Sequence, residues 1–102
     1  VEPRGVPGPG CVAGRVGGES MIEAGVEDQD YVVVRPQPDA ENGQIVAVLI
    51  EGEATVKRYY REAGGCVRLQ PENASMDPIF FHPREHASIR IIGKVVGLFR
   101  NL

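Results

Sequence analysis

The chain predicts an all-β domain, a twisted multi-strand sheet with one or two short helical turns. Three features of the sequence carry that expectation. Short apolar and β-branched runs recur along its 102 residues. Clusters of Gly, Pro and Asn separate those runs. No segment keeps apolar residues at helical spacing for three turns, as an amphipathic helix must. Seven or eight strands joined by such turns make an all-β architecture.

Residues 1 to 11 are rich in Pro and Gly and have little to bury, so they read as a flexible tail or linker. The folded domain is then expected over 12 to 102. Val12 to Val16 reads as a strand leading into a turn at Ser20. Met21 to Gly25 reads as one helical turn closed by Gly25, because glycine tolerates the left-handed cap. Tyr31-Val32-Val33-Val34-Arg35 is β-branched and aromatic, hence a strand. Pro36, Pro38 and Asn42-Gly43 bound a loop. The run Ile45-Val46-Ala47-Val48-Leu49-Ile50 is continuously apolar, which predicts a strand buried on both faces. Glu51-Gly52 is a tight hairpin signal, and the next strand follows from Glu53 to about Tyr60. Gly64-Gly65 makes another turn. Cys66 to Gln70 alternates as a half-buried strand. Pro71 to Pro78 is irregular, and Ile79-Phe80-Phe81 is a short strand. Ser88 to Arg100 closes the chain as one long strand or two, with Gly93 and Gly97 permitting a bend or bulge.

A chain of this length makes one domain with a modest core. At 42% apolar and 25% charged residues, it has the composition of a soluble globular domain. It lacks a run of 18 apolar residues, so no membrane helix is expected. It also lacks a basic-then-apolar leader, which favours the cytoplasm. The net charge is −3 and the cations are scattered, which argues against direct DNA binding by this domain. The stretch Lys57-Arg58-Tyr59-Tyr60-Arg61 reads as a strand whose alternate residues face solvent. Cys11 and Cys66 read as free thiols. With only His82 and His86 as further soft donors, and Pro83 between those two, no metal or cofactor is expected. Both histidines read as exposed loop residues.

Ser20 stands in Gly18-Glu19-Ser20-Met21-Ile22, and Lys57 in Thr55-Val56-Lys57. A serine hydroxyl needs a base to become a nucleophile. His82 and His86 have the right chemistry, but neither has an acid clearly placed to orient it. A lysine serves only if burial keeps its amine neutral. Strand alternation puts Thr55 and Lys57 on one face and Val56 on the other. From pattern alone, an exposed lysine remains the simpler reading of Lys57.

Those two segments resemble the nucleophile and general-base segments of the LexA family of self-cleaving repressors. Asp30 to Arg35, Asn42 to Ala47, Leu69-Gln70-Pro71-Glu72-Asn73 and Ile92 to Arg100 resemble the family's other segments in order. The likeness covers roughly residues 15 to 102. It implies a LexA/signal-peptidase-like β fold and a serine endopeptidase with a Ser-Lys dyad. Ser20 would be the nucleophile and Lys57 the base. The backbone N–H groups of Ser20 and Met21 would hold the oxyanion, and an Ala-Gly bond of the repressor's own chain would be cut. The resemblance further implies an SOS transcriptional repressor that is cytoplasmic and acts in the DNA-damage response. Its partners would be a second copy, bound through the C-terminal strand, and an activated RecA filament acting as co-protease. Ile89, Ile91, Val95, Leu98 and Leu102 would supply the apolar contacts of that homodimer.

Three departures from the family accompany the likeness. No helix-turn-helix is legible in residues 1 to 15. The pair Ala13-Gly14 has the family's scissile identity but stands six positions before Ser20. Six extended residues span at most about 20 Å, too little to turn back onto the serine without dismantling the strand that carries it. Ala13-Gly14 is therefore expected in the lead-in strand, with the usual cleavage segment missing, and cis cleavage is doubtful. A remnant cleavage site, or one cut in trans, is the other reading. Third, Asp28-Gln29-Asp30 replaces the family's Asp-Gly-Asp, where glycine permits a positive φ. Related readings are a UmuD-like accessory factor or a phage-repressor domain. A plain association module with an idle dyad is a further alternative. A signal-peptidase relative would need a membrane anchor.

Overall fold

In the computed structural model, which describes residues 10 to 101, every strand belongs to one antiparallel sheet. The strands are β1 (Val12–Arg15), β2 (Tyr31–Pro36), β3 (Ile45–Ile50), β4 (Glu53–Arg61), β5 (Val67–Gln70), β6 (Ile79–Phe81) and β7 (Ile89–Phe99). Two single 3₁₀ turns, Ile22–Ala24 and Ala63–Gly65, are the only helical pieces among the described residues. The all-β expectation therefore holds, and the closing segment is one strand. The expected tail falls largely outside the described residues. No described helix is long and apolar enough to cross a membrane.

Spatial order is β1-β2-β7-β3-β4-β5-β6. Apolar alternation shows why the sheet can bury both faces at its centre. Val46 and Val48 join Tyr59, Val67, Leu69 and Phe81 in one core, while Ala47 joins Val32, Val34 and Val56 in the other. This is the two-sided burial that the Ile45–Ile50 run predicts. The β3–β4 hairpin closes with Glu51 at φ 49° and Gly52 at φ 83°. Paired positive φ values match the right-handed twist of the strands that the turn connects.

The long strand β7 bridges the two halves. Ile89–Lys94 pair with β3, and Gly93–Phe99 pair with β2. Register shifts opposite Ala47/Val48 and Val33/Val34 absorb one extra β7 residue each. At Gly93, β7 faces both neighbours at once. A Cβ there would lie 2.2 Å from the Arg35 carbonyl oxygen, so no side chain fits.

Of the residues expected at a dimer surface, Ile89, Ile91 and Val95 are half-buried within the sheet rather than fully exposed. Ile89 and Ile91 pack against the second core, and Val95 against the first. Of the five residues named for self-association, Leu98 is the large exposed one among those described, and Leu102 lies outside the described residues. An uncovered edge also exists only in part. Val95–Phe99 pair with β2 on one side, and no described strand pairs on the other.

Candidate active site

Ser20 sits on the turn between β1 and the first 3₁₀ turn. That turn is built from glycine geometry and local bonds. Gly18 (φ 85°) and Gly25 (φ 85°) open and close it. The Gly18 N–H donates to Asp28 Oδ1 at 2.8 Å, and the Ala24 and Val26 N–H groups donate to the Met21 carbonyl. Met21 is 1% exposed and anchors the turn in the first core. Burial of such a side chain contributes about 2 kcal/mol. The backbone N–H groups of Ser20 and Met21 donate to no acceptor among the described residues.

Behind the turn, Asp30 is buried and receives Arg100 through Nε and Nη2, both at 2.8 Å. It also accepts the Glu27 N–H at 2.7 Å. The Arg100 bonds, then the Glu27 bond, hold the Asp30 carboxyl below its usual range. Arg100 Nη2 also donates to the Gly25 carbonyl, which ties the end of the chain to the serine turn. Gln29 occupies φ 73°. Gln29 thus holds a left-handed conformation that glycine would adopt freely, at a cost of about 1 kcal/mol.

Lys57 comes from β4, opposite the fully buried Val46. Pairing with β5 begins at Arg58, so β4 has a strand partner on one side only at Val56 and Lys57. The serine turn meets this edge. Lys57 Nζ lies 3.1 Å from Ser20 Oγ, 2.9 Å from Thr55 Oγ1 and 3.3 Å from the Val56 carbonyl oxygen. Ser20 Oγ lies 3.3 Å from the same Val56 oxygen. Lys57 is 8% exposed and in no ion pair among the described residues. Burial alone lowers its pKa below the ordinary lysine value.

The geometry therefore brings together Ser20 and Lys57, which are 37 residues apart in sequence. It does not bring Ala13-Gly14 into the same cluster of bonds. Those residues pair with Val33 and Val32 as rungs of β1. A groove of about 190 Å³ runs between β1 and β4, lined mainly by small apolar side chains. Its walls include Ala13, Gly14, Ala47, Ala54, Thr55 and Val56. Thr55 and Val56 supply two of the three oxygens around Lys57 Nζ. The histidines are elsewhere, in the turn between β6 and β7. There His82 is half-buried rather than exposed, because the turn folds His86 back onto its backbone.

Sequence reasoning singled out Ser20 and Lys57, which the fold places in contact, but gave Thr55 no role beyond its shared face with Lys57. An oxygen-bearing residue two positions before a buried lysine was the available signal. The bonds from Arg100 to Asp30 and Gly25, and from Asn73 to the Glu19 carbonyl, are non-local and left no such mark.

The Peptidase S24-like family profile matches residues 3–96. The chain belongs to the Peptidase S24-like family. Within it, the similar relatives are LexA repressors. One from Myxococcus xanthus is 51% identical over 98 residues, covering 96% of this chain and 44% of the relative. One from Alkaliphilus oremlandii is 55% identical over 87 residues, 85% of this chain and 39% of the relative. A third, from Geotalea uraniireducens, is 50% identical over 97 residues, 95% of this chain and 47% of the relative. The chain thus spans less than half the length of the curated relatives it matches. It is a LexA-type member of a serine peptidase family, and its antiparallel sheet is consistent with that family.

Proposed function

We propose that this chain is the autoproteolytic and dimerisation domain of a LexA-type SOS repressor, with Ser20 as nucleophile and Lys57 as general base. The contact between Lys57 Nζ and Ser20 Oγ, at a buried lysine that no carboxylate pairs among the described residues, carries the reading. With Lys57 charged, its three protons match the three oxygens around it, and the Ser20 hydroxyl donates to the Val56 carbonyl. With Lys57 neutral, its lone pair accepts the Ser20 proton instead. The hydroxyl thus exchanges one acceptor for another as the amine deprotonates.

In the proposed reaction Ser20 Oγ attacks the carbonyl carbon of an Ala-Gly bond while its proton passes to Lys57 Nζ. The Ser20 and Met21 N–H groups receive the oxyanion, an interaction that typically contributes a few kcal/mol. The C–N bond then breaks, the glycine amine leaves with the proton from Lys57, and an acyl ester remains on Ser20. Lys57 next takes a proton from water, whose hydroxide attacks the ester. The ester C–O bond breaks, Lys57 returns its proton to Ser20 Oγ, and the acid is released. The small-residue groove beside Thr55 and Val56 suits an extended Ala-Gly segment. That segment comes from a part of the repressor chain other than Ala13-Gly14, whose peptide is a rung of β1.

In the full repressor, cleavage separates this domain from a DNA-binding domain. The activated RecA filament acts by favouring the state in which the scissile segment is docked. The protein works in the cytoplasm as a homodimer. Leu98 and the free edge of Val95–Phe99 contribute to that contact.

A trans-cleavage assay tests this reading. A peptide containing Ala-Gly is expected to be cut by the wild-type chain, faster as pH rises, and not by Ser20→Ala. Equal cutting by Ser20→Ala, or no cutting at any pH, contradicts it. The latter outcome favours the idle-dyad association module.

A further inference from the structure

The turn that carries Ser20 is held from another side by a loop that the proposed chemistry does not use. Residues 71 to 78, between β5 and β6, reach it through three bonds. Asn73 Nδ2 donates to the Glu19 carbonyl at 2.9 Å. The Glu23 N–H donates to the Glu72 carbonyl at 2.8 Å. The Ala74 N–H donates to Glu23 Oε2 at 2.9 Å.

The same loop also grips the strand that carries the base. Arg58, the residue after Lys57, donates from Nε to Glu72 Oε1 and from Nη1 to the Gly43 carbonyl. Two adjacent residues, Glu72 and Asn73, thus touch the residue before Ser20 and the residue after Lys57. The two ends of the Asn73 amide do different work. Its Oδ1 accepts from the Ser75 N–H at 3.0 Å and from Ser75 Oγ at 2.7 Å, closing the loop on itself. Its Nδ2 crosses to the serine turn.

We propose that Glu72-Asn73 is a brace that sets the separation of Ser20 from Lys57, with Asn73 as a positioning residue. The inference rests on the dyad reading and adds a residue to it. Ser20 lies on an irregular turn and Lys57 on a strand, so nothing in the sheet ladder fixes their distance. Proton transfer requires hydrogen-bond contact, and a shift of about 1 Å at such a site can cost 100-fold in rate.

Asn73→Asp isolates the brace. It keeps an acceptor for Ser75 and removes the donor to Glu19, facing a carboxylate to that carbonyl. Two measurements are made on wild type and variant: fluorophosphonate labelling of Ser20 against pH, and amide hydrogen exchange of residues 22 to 26 and of Lys57. The expected result is a melting temperature close to wild type and labelling about tenfold or more slower at each pH. The pH midpoint should rise only slightly, from the new carboxylate, because the burial of Lys57 is untouched. Exchange should be faster in the turn and unaltered at Lys57. Wild-type labelling and exchange in Asn73→Asp overturn the proposal. So does slower labelling accompanied by a large fall in melting temperature and a large midpoint shift, since the loop would then only support the fold. If wild type itself is not labelled, the dyad reading fails. Hydrogen exchange then decides the brace: faster turn amides support it, and unchanged amides overturn it.

Discussion

The amine of Lys57 donates to Ser20, Thr55 and Val56, and its burial has a direct consequence for stability. In the unfolded chain the lysine titrates near its ordinary 10.5; in the fold its pKa is lower. The unfolded state therefore binds more protons between those two values, and stability rises with pH across that window. Below the folded-state pKa both states are protonated and the fold bears the full penalty of a buried cation. Lys57→Met should accordingly raise the melting temperature by a few degrees at pH 7. The gain over wild type should shrink as pH approaches 10.5. Thermal melts at pH 7 and pH 10 check this, and a constant difference between the two pH values contradicts it. Ser20 and Lys57 were legible only through their neighbours in sequence. A lysine on a strand reads as exposed until its surroundings are known, and the surroundings of Lys57 come from a turn 37 residues away.

At the scale of the element, β7 organises the sheet. Its position was not legible, because pairing partners depend on topology and a strand's own pattern states only that it is a strand. Ile89 and Ile91, read from sequence as partner-facing, also pack in part against the internal core. Gly93 and Gly97 did announce an irregularity, and the two register shifts in the β7 pairings lie next to them. The reasons at the two glycines differ. At Gly97 an added Cβ would meet Val33 at 3.6 Å, an ordinary contact. At Gly93 it would meet the Arg35 and Pro36 backbone at 2.2 to 2.8 Å. Gly93→Ala should therefore cost about 3 kcal/mol or more, measured as a shift in the urea midpoint. A cost below about 1 kcal/mol, in the range of well-tolerated core swaps, contradicts the close β7–β2 approach. By contrast, the Glu51-Gly52 and Gly25 turns were read correctly from sequence, because a positive φ is a local demand.

Across the whole molecule, one sheet presents the Ser20 turn at the edge of β4 and clamps that turn from two directions. Asp30 and Arg100 hold it from the β2–β7 side, and Glu72 and Asn73 from the β5–β6 side. The fold class followed from short runs and turn residues, which are local. These clamps join residues as far as 75 positions apart, and no periodicity encodes such contacts. The central claim is that the fold assembles a working Ser20-Lys57 pair. Fluorophosphonate labelling between pH 6 and 10, with Ser20→Ala and Lys57→Ala alongside, tests it most directly. The account predicts labelling of the wild-type chain that rises with pH as Lys57 loses its proton, and none in either variant. A folded wild-type chain that stays unlabelled at pH 10, or a Ser20→Ala chain that labels equally, would contradict it.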